Sequence, residues 1–432
     1  MTTKKLILFL ICFQSAFTAL AQQCLPEGIV FTNQSQINNF QFDFPGCTKI
    51  TGSVFIYGND IQDLTGLSVI NSIGEHLSFG YQTEGNPQLL TLSGLENLDS
   101  IGGYLTITNN HNLSSLSGLD SLKSIGGGLT FWSNHGLQNM DQLINISNLG
   151  GPLMLFANKK LNNIEGLSNI EGIDGEVFIQ VHDSLMDLNG LSGLVTVNGN
   201  VNISYNQFLE SMEGLSKLEN INGHLIIEDN PNLKSLQGLE NLHAMGGSLT
   251  INSNPQLESI LSLSNLSSIE GRIRLTNNDL LESLEGLDNI DPTTITKVVL
   301  RFNNKLSNCA APSVCSYLNT DDPDFDVVNN EDGCDNLVQI EEACQIIGVY
   351  EINQPNKIRI YPNPARSTLR FQASDDILVL EIAIYDKTEK KILKGYPDDS
   401  HELNVSFIPQ GLYIVEFIHT KGVIRKKLIT FR

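Results

Sequence analysis

The sequence predicts an all-β chain: a right-handed β-helix, or solenoid, of 24-residue leucine-rich coils with disulfide caps, followed by a small β-sandwich. Three observations predict it. Asn110, Asn134, Asn158, Asn206, Asn230, Asn254 and Asn278 stand 24 residues apart, or twice 24 where His182 takes the asparagine's place. Leu95, Leu119, Leu143, Leu167, Leu191, Leu215, Leu239, Leu263 and Leu287 keep the same phase, preceded by glycine in seven cases and by Gln142 and Ser262 in the others. Near residue 350 this acidic periodic body gives way to a basic tail of short alternating stretches. Nine registers without slippage mean one unit copied and stacked. Each unit packs only on its neighbours, so 432 residues need no single large core.

The unit is clearest in residues 104–125. Leu105 and Ile107 alternate with Tyr104, Thr106 and Thr108, the period of a strand with one buried face. Inward pairs recur at Leu129/Phe131, Leu153/Leu155, Val177/Ile179, Val201/Ile203, Leu225/Ile227, Leu249/Ile251 and Ile273/Leu275. With Val54/Ile56, Leu77/Phe79 and a last strand at 298–300, this makes about eleven coils, on the order of 50 Å long at the ~4.8 Å strand spacing. The connecting stretch places Leu113, Leu116, Leu119, Leu122 and Ile125 three residues apart and is poor in strong helix formers. Several short extended sides are therefore expected, without helices on the outer side. A buried asparagine at each bend would satisfy backbone groups that lose their partners there. The glycine before each leucine would serve a positive φ or a close approach between coils.

The ends depart from the unit. Residues 1–21 read as a secretory signal, with Lys4 and Lys5, an apolar run over 6–11 with Phe13, and small residues at Ala19 and Ala21. No other stretch is apolar enough to span a membrane. Six cysteines flank the repeats: Cys24, Cys47, Cys309, Cys315, Cys334 and Cys344. In an exported chain they read as disulfide-closed caps, with Cys24 bridged to Cys47 and three pairings open to the other four. The absence of a Cys-x-x-Cys pair argues against zinc. The expected organisation is an N-terminal cap over 22–52, repeats over 53–306, a second cap over 307–349, a linker over 350–357 and the sandwich over 358–432. The repeat phase breaks twice, at Tyr81-Gln82-Thr83-Glu84 and near Asp291-Pro292-Thr293-Thr294.

Residues 22–349 hold 11 basic and 38 acidic side chains, whereas 350–432 hold 13 basic and 10 acidic ones. So acidic a body repels phosphate backbones and anionic lipid, which makes nucleic acid a poor candidate partner. The acids at 321–326 with Glu331, Asp332 and Asp335 lack the ordered spacing of a calcium loop and read as a solvated surface. His111 and His135 occupy equivalent turn positions but lack a third ligand, so no metal is expected. No helix-borne His-Glu-x-x-His, nucleophile elbow or phosphate loop occurs, and no cofactor is expected.

The outward strand positions carry the functional expectation. Phe55, Tyr57, Tyr104, Trp132, Met154, Phe156 and Phe178 all lie in the first half of the stack, whereas later coils offer Asn202, Ser204, Glu228, Thr250, Asn252, Arg274 and Arg301. An exposed aromatic stripe with a polar rim suits a protein or glycan ligand. The alternative is that these side chains steady the sheet or lie under the Tyr81 loop. The chain is read as non-catalytic. A polysaccharide-active hydrolase using strand-face carboxylates and a structural surface-layer protein are the competing classes.

Two resemblances sharpen this. Units such as Leu225-Ile226-Ile227-Glu228-Asp229-Asn230-Pro231-Asn232-Leu233-Lys234-Ser235-Leu236-Gln237-Gly238-Leu239 resemble the receptor L-domain repeats of insulin- and epidermal-growth-factor-receptor ectodomains and of bacterial surface proteins, over roughly residues 24–347. This implies a leucine-rich right-handed β-helix with a binding role, and carries no ligand identity. Tyr361-Pro362-Asn363-Pro364-Ala365, Leu369-Arg370-Phe371, Ile384-Tyr385-Asp386, Gly411-Leu412-Tyr413-Ile414-Val415 and Lys427-Leu428-Ile429 resemble, in order, the C-terminal sorting domain of the type IX secretion system of Bacteroidota. The resemblance implies an immunoglobulin-like sandwich recognised by the secretion machinery, and a destination at the outer cell surface or in the medium. Glu389 departs from it, standing where a glycine is usual.

Overall fold

The computed structural model describes residues 22–346, 358–361, 363, 365–373, 377–386, 390–396, 401–420 and 422–430. The signal-like stretch and the linker lie outside the described residues.

The repeats build two parallel sheets, one of 13 longer strands and one of 11 mostly two-residue strands. Each coil contributes one strand to each sheet, except that Ile295–Arg301 and Phe325–Val328 add to the longer sheet alone. Register is the sequence period made visible: Leu105 pairs with Leu129, Leu129 with Leu153 and Leu153 with Val177. From Leu105 to Leu275 every inward strand side chain therefore stacks on its 24-residue equivalent, and Leu113, Leu116, Leu119 and Leu122 are fully buried with their counterparts in one continuous core. Most outer turns are single 3₁₀ turns, such as Glu165–Leu167 and Asn189–Leu191, and no α-helix lies within the repeats.

The glycine before the repeat leucine explains why the turns stay tight. A Cβ on Gly190 would sit 1.8 Å from the Ile164 carbonyl oxygen of the preceding coil. Gly118 combines such an approach, 2.1 Å to Leu92 O, with a φ of +111°. Both reasons expected for this glycine therefore operate.

The asparagine ladder behaves as the bend requires. Asn230 Nδ2 donates to Ile203 O at 2.9 Å, while its Oδ1 accepts from the Asn206 backbone N–H at 3.1 Å. The same arrangement links Asn110 to Asn134 and Asn254 to Asn278. The ladder is longer than the seven asparagines predicted. Asn86 joins it below Asn110, and Asn303 and Asn330 extend it above Asn278. Just before each ladder position from Asn110 onward the backbone turns through positive φ, as at Asn109, Tyr205 and Asn277. That turn carries the chain off the sheet, which is why the next residue points inward.

The caps differ from expectation in one respect: both contribute strands. Ile29–Phe31 and Phe325–Val328 are the outermost members of the long-strand sheet, so it has 13 strands where the repeat pattern predicts about eleven coils. In the N-terminal cap helix α1 (Gln34–Asp43) buries Ile37 and Phe40, and Phe40 lies edge-on to Phe31 with ring centroids 5.8 Å apart. The second cap holds α2 (Pro312–Leu318) and α3 (Leu337–Ile346). Cys24 is bridged to Cys47, as expected. The open pairing resolves as Cys309–Cys334 and Cys315–Cys344, the latter tying α2 to α3.

Both phase breaks are turns. Tyr81 and Glu84 exchange backbone hydrogen bonds of 2.8 and 2.9 Å across a two-residue hairpin loop. Asp291 caps the 3₁₀ turn Pro292–Thr294 before the seven-residue strand Ile295–Arg301.

The C-terminal region is an antiparallel sandwich with its own core. One sheet holds Ile358–Tyr361, Thr368–Ala373 and Glu402–Asn404; the other holds Val379–Tyr385, Lys391–Gly395, Gly411–His419 and Gly422–Thr430. Phe371 and Phe417, 5.3 Å apart, join the two sheets.

Candidate binding face

The outer face of the 13-stranded sheet is a grid whose rows are coils. Strand alternation sends every second side chain outward, and parallel pairing stacks those side chains in columns. One column runs Phe55, Ser78, Thr106, Thr130, Met154, Phe178, Asn202. Trp132 and Phe156 are neighbours in the next.

The aromatic residues expected to form an exposed stripe fall into two clusters. The first lies near the N-terminal cap, where Tyr81 stacks on Tyr57 at 5.7 Å and meets Phe55 edge-on at 6.3 Å. Phe55 and Tyr57 are consequently only half-exposed, and the Tyr81 loop covers them. The coils that follow place Ser78, Gly80, Thr106 and Thr108 between the clusters, too small to continue an aromatic surface. The second cluster comprises Trp132, Met154, Phe156 and Phe178. Trp132 is 51% exposed although its ring lies edge-on to Phe156 at 5.5 Å. Met154 is exposed beside it, paired in register with the half-buried Phe178. Tyr104 belongs to neither cluster; exposed before its strand, it packs on the His76 ring at 5.3 Å.

Beyond Phe178 the face is polar and internally bonded. Ser204 donates to Asn202 Oδ1 at 2.7 Å, Asn252 donates to Glu228, and Thr276 donates to Asn252. At the far end Lys297 pairs with Asp324 at 3.1 Å and Arg301 forms a two-pronged ion pair with Asp326. Asp324 and Asp326, members of the acidic cap segment, are thus neutralised by cations of the sheet.

The turn histidines come together without forming a metal centre. His111 and His135 stack with centroids 4.8 Å apart, and each Nδ1 donates to a backbone carbonyl, Ser133 O and Ala157 O respectively. Burial holds the His135 imidazole below its ordinary pKa, and the neighbouring His111 adds to the effect. Among the described residues no group of three or more His, Cys, Asp or Glu side chains is placed to hold a metal.

One feature escaped the sequence reading. A groove of about 410 Å³ runs along the turn edge of later coils, lined by Tyr205, Gln207, Asp229, Pro231, Ser253, Pro255 and Asn277. A hydrogen bond to Asp229 raises the Tyr205 phenol pKa. Its signal lay in the residues immediately flanking the ladder asparagines.

In the sandwich, Tyr361 and Asn363 are exposed, while Pro362 and Pro364 lie outside the described residues. Gly411 opens a strand in which Tyr413 is buried, its hydroxyl donating to Pro409 O at 2.9 Å. Lys427 pairs with Ile414 in the hairpin.

Among the described residues no helix is long and apolar enough to cross a membrane. No curated protein matches the chain. Two families do. The receptor L domain matches residues 46–161 and 193–311, and the secretion system C-terminal sorting domain matches 359–430. The stretch between the two receptor L matches, holding Phe178 and His182, continues both sheets without interruption. More than half of the chain is thus covered by receptor L repeats and its end by a sorting domain. The chain belongs to the receptor L domain family, and is a secreted or outer-surface protein with a recognition role, exported through the type IX secretion system.

Proposed function

We propose that the protein is a non-catalytic recognition or adhesion protein whose ligand, a protein or glycan, docks on the strand face over Trp132, Met154, Phe156 and Phe178. The exposed indole of Trp132 carries this reading. A large ring held by an edge-on neighbour yet half open to water is pre-organised for contact, and covering it recovers apolar area at about 25 cal/mol per Å². Phe55 and Tyr57 take a structural part beneath Tyr81, and Tyr104 lies at the margin.

The test is a binding screen of the full chain against glycans and surface proteins, with turnover measured on the same polysaccharides. Trp132→Ala with Phe156→Ala is expected to abolish the strongest binding and leave the fold intact. Unchanged binding by the folded double variant would sink the proposal. Turnover lost on a single Asp or Glu substitution would replace it with a hydrolase.

A further inference from the structure

Eleven basic residues serve an acidic body of residues 22–349, and four of them, Arg272, Arg274, Lys297 and Arg301, occupy two adjacent strands of the binding face. The register sets them in a block: Arg272 beside Lys297, Arg274 beside Val299, Thr276 beside Arg301. The last strand brings counterions to one row only. Asp324 takes Lys297 and Asp326 takes Arg301. Arg272 and Arg274 are exposed and enter no ion pair among the described residues. They alternate on one strand, so both guanidinium groups leave the same face about 7 Å apart. On their other side stand Ser248 and Thr250, neutral and small. Two unneutralised like charges side by side repel and contribute nothing to the core, in a protein with carboxylates to spare.

We propose that Arg272 and Arg274 form an anion-binding site that takes the carboxylates of an acidic polysaccharide laid along the stack. The proposal deepens the function argued above, resting on the reading that the strand face carries the ligand. Guanidinium groups suit carboxylates through paired, planar hydrogen bonds, and an anion there relieves their mutual repulsion. Polysaccharide is favoured over an acidic protein by what lies between the two ends. Six strand steps separate the Trp132 strand from the Arg274 strand, about 29 Å at the ~4.8 Å spacing. Along that strip the outward residues are mainly Gln180, Asn202, Ser204, Thr250 and Asn252, with Ile226 the apolar exception and Glu228 the one carboxylate, which accepts a hydrogen bond from Asn252. A protein interface centres on a buried apolar core. This surface reverses that pattern, with an aromatic platform at one end, hydroxyl and amide groups in the middle and cations at the other. A linear chain of sugars bearing carboxylates matches all three.

The experiment measures binding of the full chain to polygalacturonate, to its fully methyl-esterified form and to poly-glutamate. The expected result is binding to polygalacturonate that weakens with salt, with little binding to the ester or to poly-glutamate. R272Q/R274Q is expected to weaken it at least tenfold, whereas K159Q/K160Q, removing equal charge from exposed turn lysines, leaves it unchanged. No binding to polygalacturonate, equal binding to the ester, or equal loss in both double variants overturns the proposal. Poly-glutamate bound as tightly as polygalacturonate replaces the polysaccharide with an acidic protein segment and also overturns it. W132A/F156A separates the two readings. If it leaves polygalacturonate binding intact while R272Q/R274Q loses it, the aromatic platform fails and the arginine site stands.

Discussion

In the coil of Phe178, His182 fills the ladder position with a ring whose nitrogens both face carbonyl oxygens, Asn158 O and Leu155 O, each at 3.2 Å. A neutral imidazole carries one N–H, so only one of these contacts is a hydrogen bond. Burial lowers the His182 pKa and so keeps the ring neutral. Across the break, the buried Asn206 Oδ1 finds no donor, whereas in Asn230 and Asn254 that atom accepts from the ladder residue 24 positions earlier. His182→Asn restores the arrangement. Giving a buried acceptor its donor is worth about 1–3 kcal/mol. The lost ring volume, roughly 40 Å³, costs about 1 kcal/mol at ~24 cal/mol per Å³ of residual cavity. A net gain of about 1 kcal/mol is expected at pH 7.5. The gain should grow in acid. The folded pKa is depressed, so the neutral ring's stability is present above the unfolded value near 6.5 and is lost as pH falls toward the folded value, because the unfolded chain binds the proton first. Asparagine has no such loss. Urea unfolding followed by Trp132, the single tryptophan, reports on the repeat body. The midpoint should rise in the variant, and rise further at pH 5.5. A lower midpoint at both pH values, or the same pH dependence in both proteins, would refute the reasoning.

Three further outcomes follow from the same architecture. Asn230→Ala strands the Asn206 N–H in the interior and removes one donor from Ile203 O, and the expected loss is about 3 kcal/mol in the same unfolding measurement, roughly 2 for the buried unsatisfied group and roughly 1 for the lost hydrogen bond. Non-reducing peptide mapping should recover Cys309 linked to Cys334 and Cys315 linked to Cys344, and Cys315→Ser should cost roughly 3–4 kcal/mol by freeing a closed loop of 29 residues.

The repeat body was legible because stacking makes every coil answer to the same constraints. A residue needed under Leu129 is needed again under Leu153, so period, inward face and ladder all show in the letters. Asn86, 24 residues before Asn110, carried the same signal; Asn303 and Asn330 follow at 25 and 27 residues and lie out of phase because the chain there gains residues. The cap strands were hidden for a related reason, since Ile29–Phe31 and Phe325–Val328 each occur once and have no copy to announce them. Alternation correctly sent Phe55 and Trp132 outward. Whether such a side chain stays open depends on its neighbours across the sheet, and the Tyr81 ring over Tyr57 is a contact between the hairpin insertion and another coil. The pairing of Arg301 with Asp326, which leaves Arg272 and Arg274 without counterions, likewise depends on the extra strand supplied by the cap.

The most direct test of the strand face as the recognition surface is the emission of Trp132 during titration with a ligand identified by the binding screen. Because this is the only tryptophan, any change reports from the aromatic cluster of the face. A saturable blue shift or quench whose midpoint equals the independently measured Kd is expected, with at least tenfold weaker binding on Trp132→Ala. Saturating binding with unaltered emission, together with full affinity in the folded Trp132→Ala protein, would contradict it.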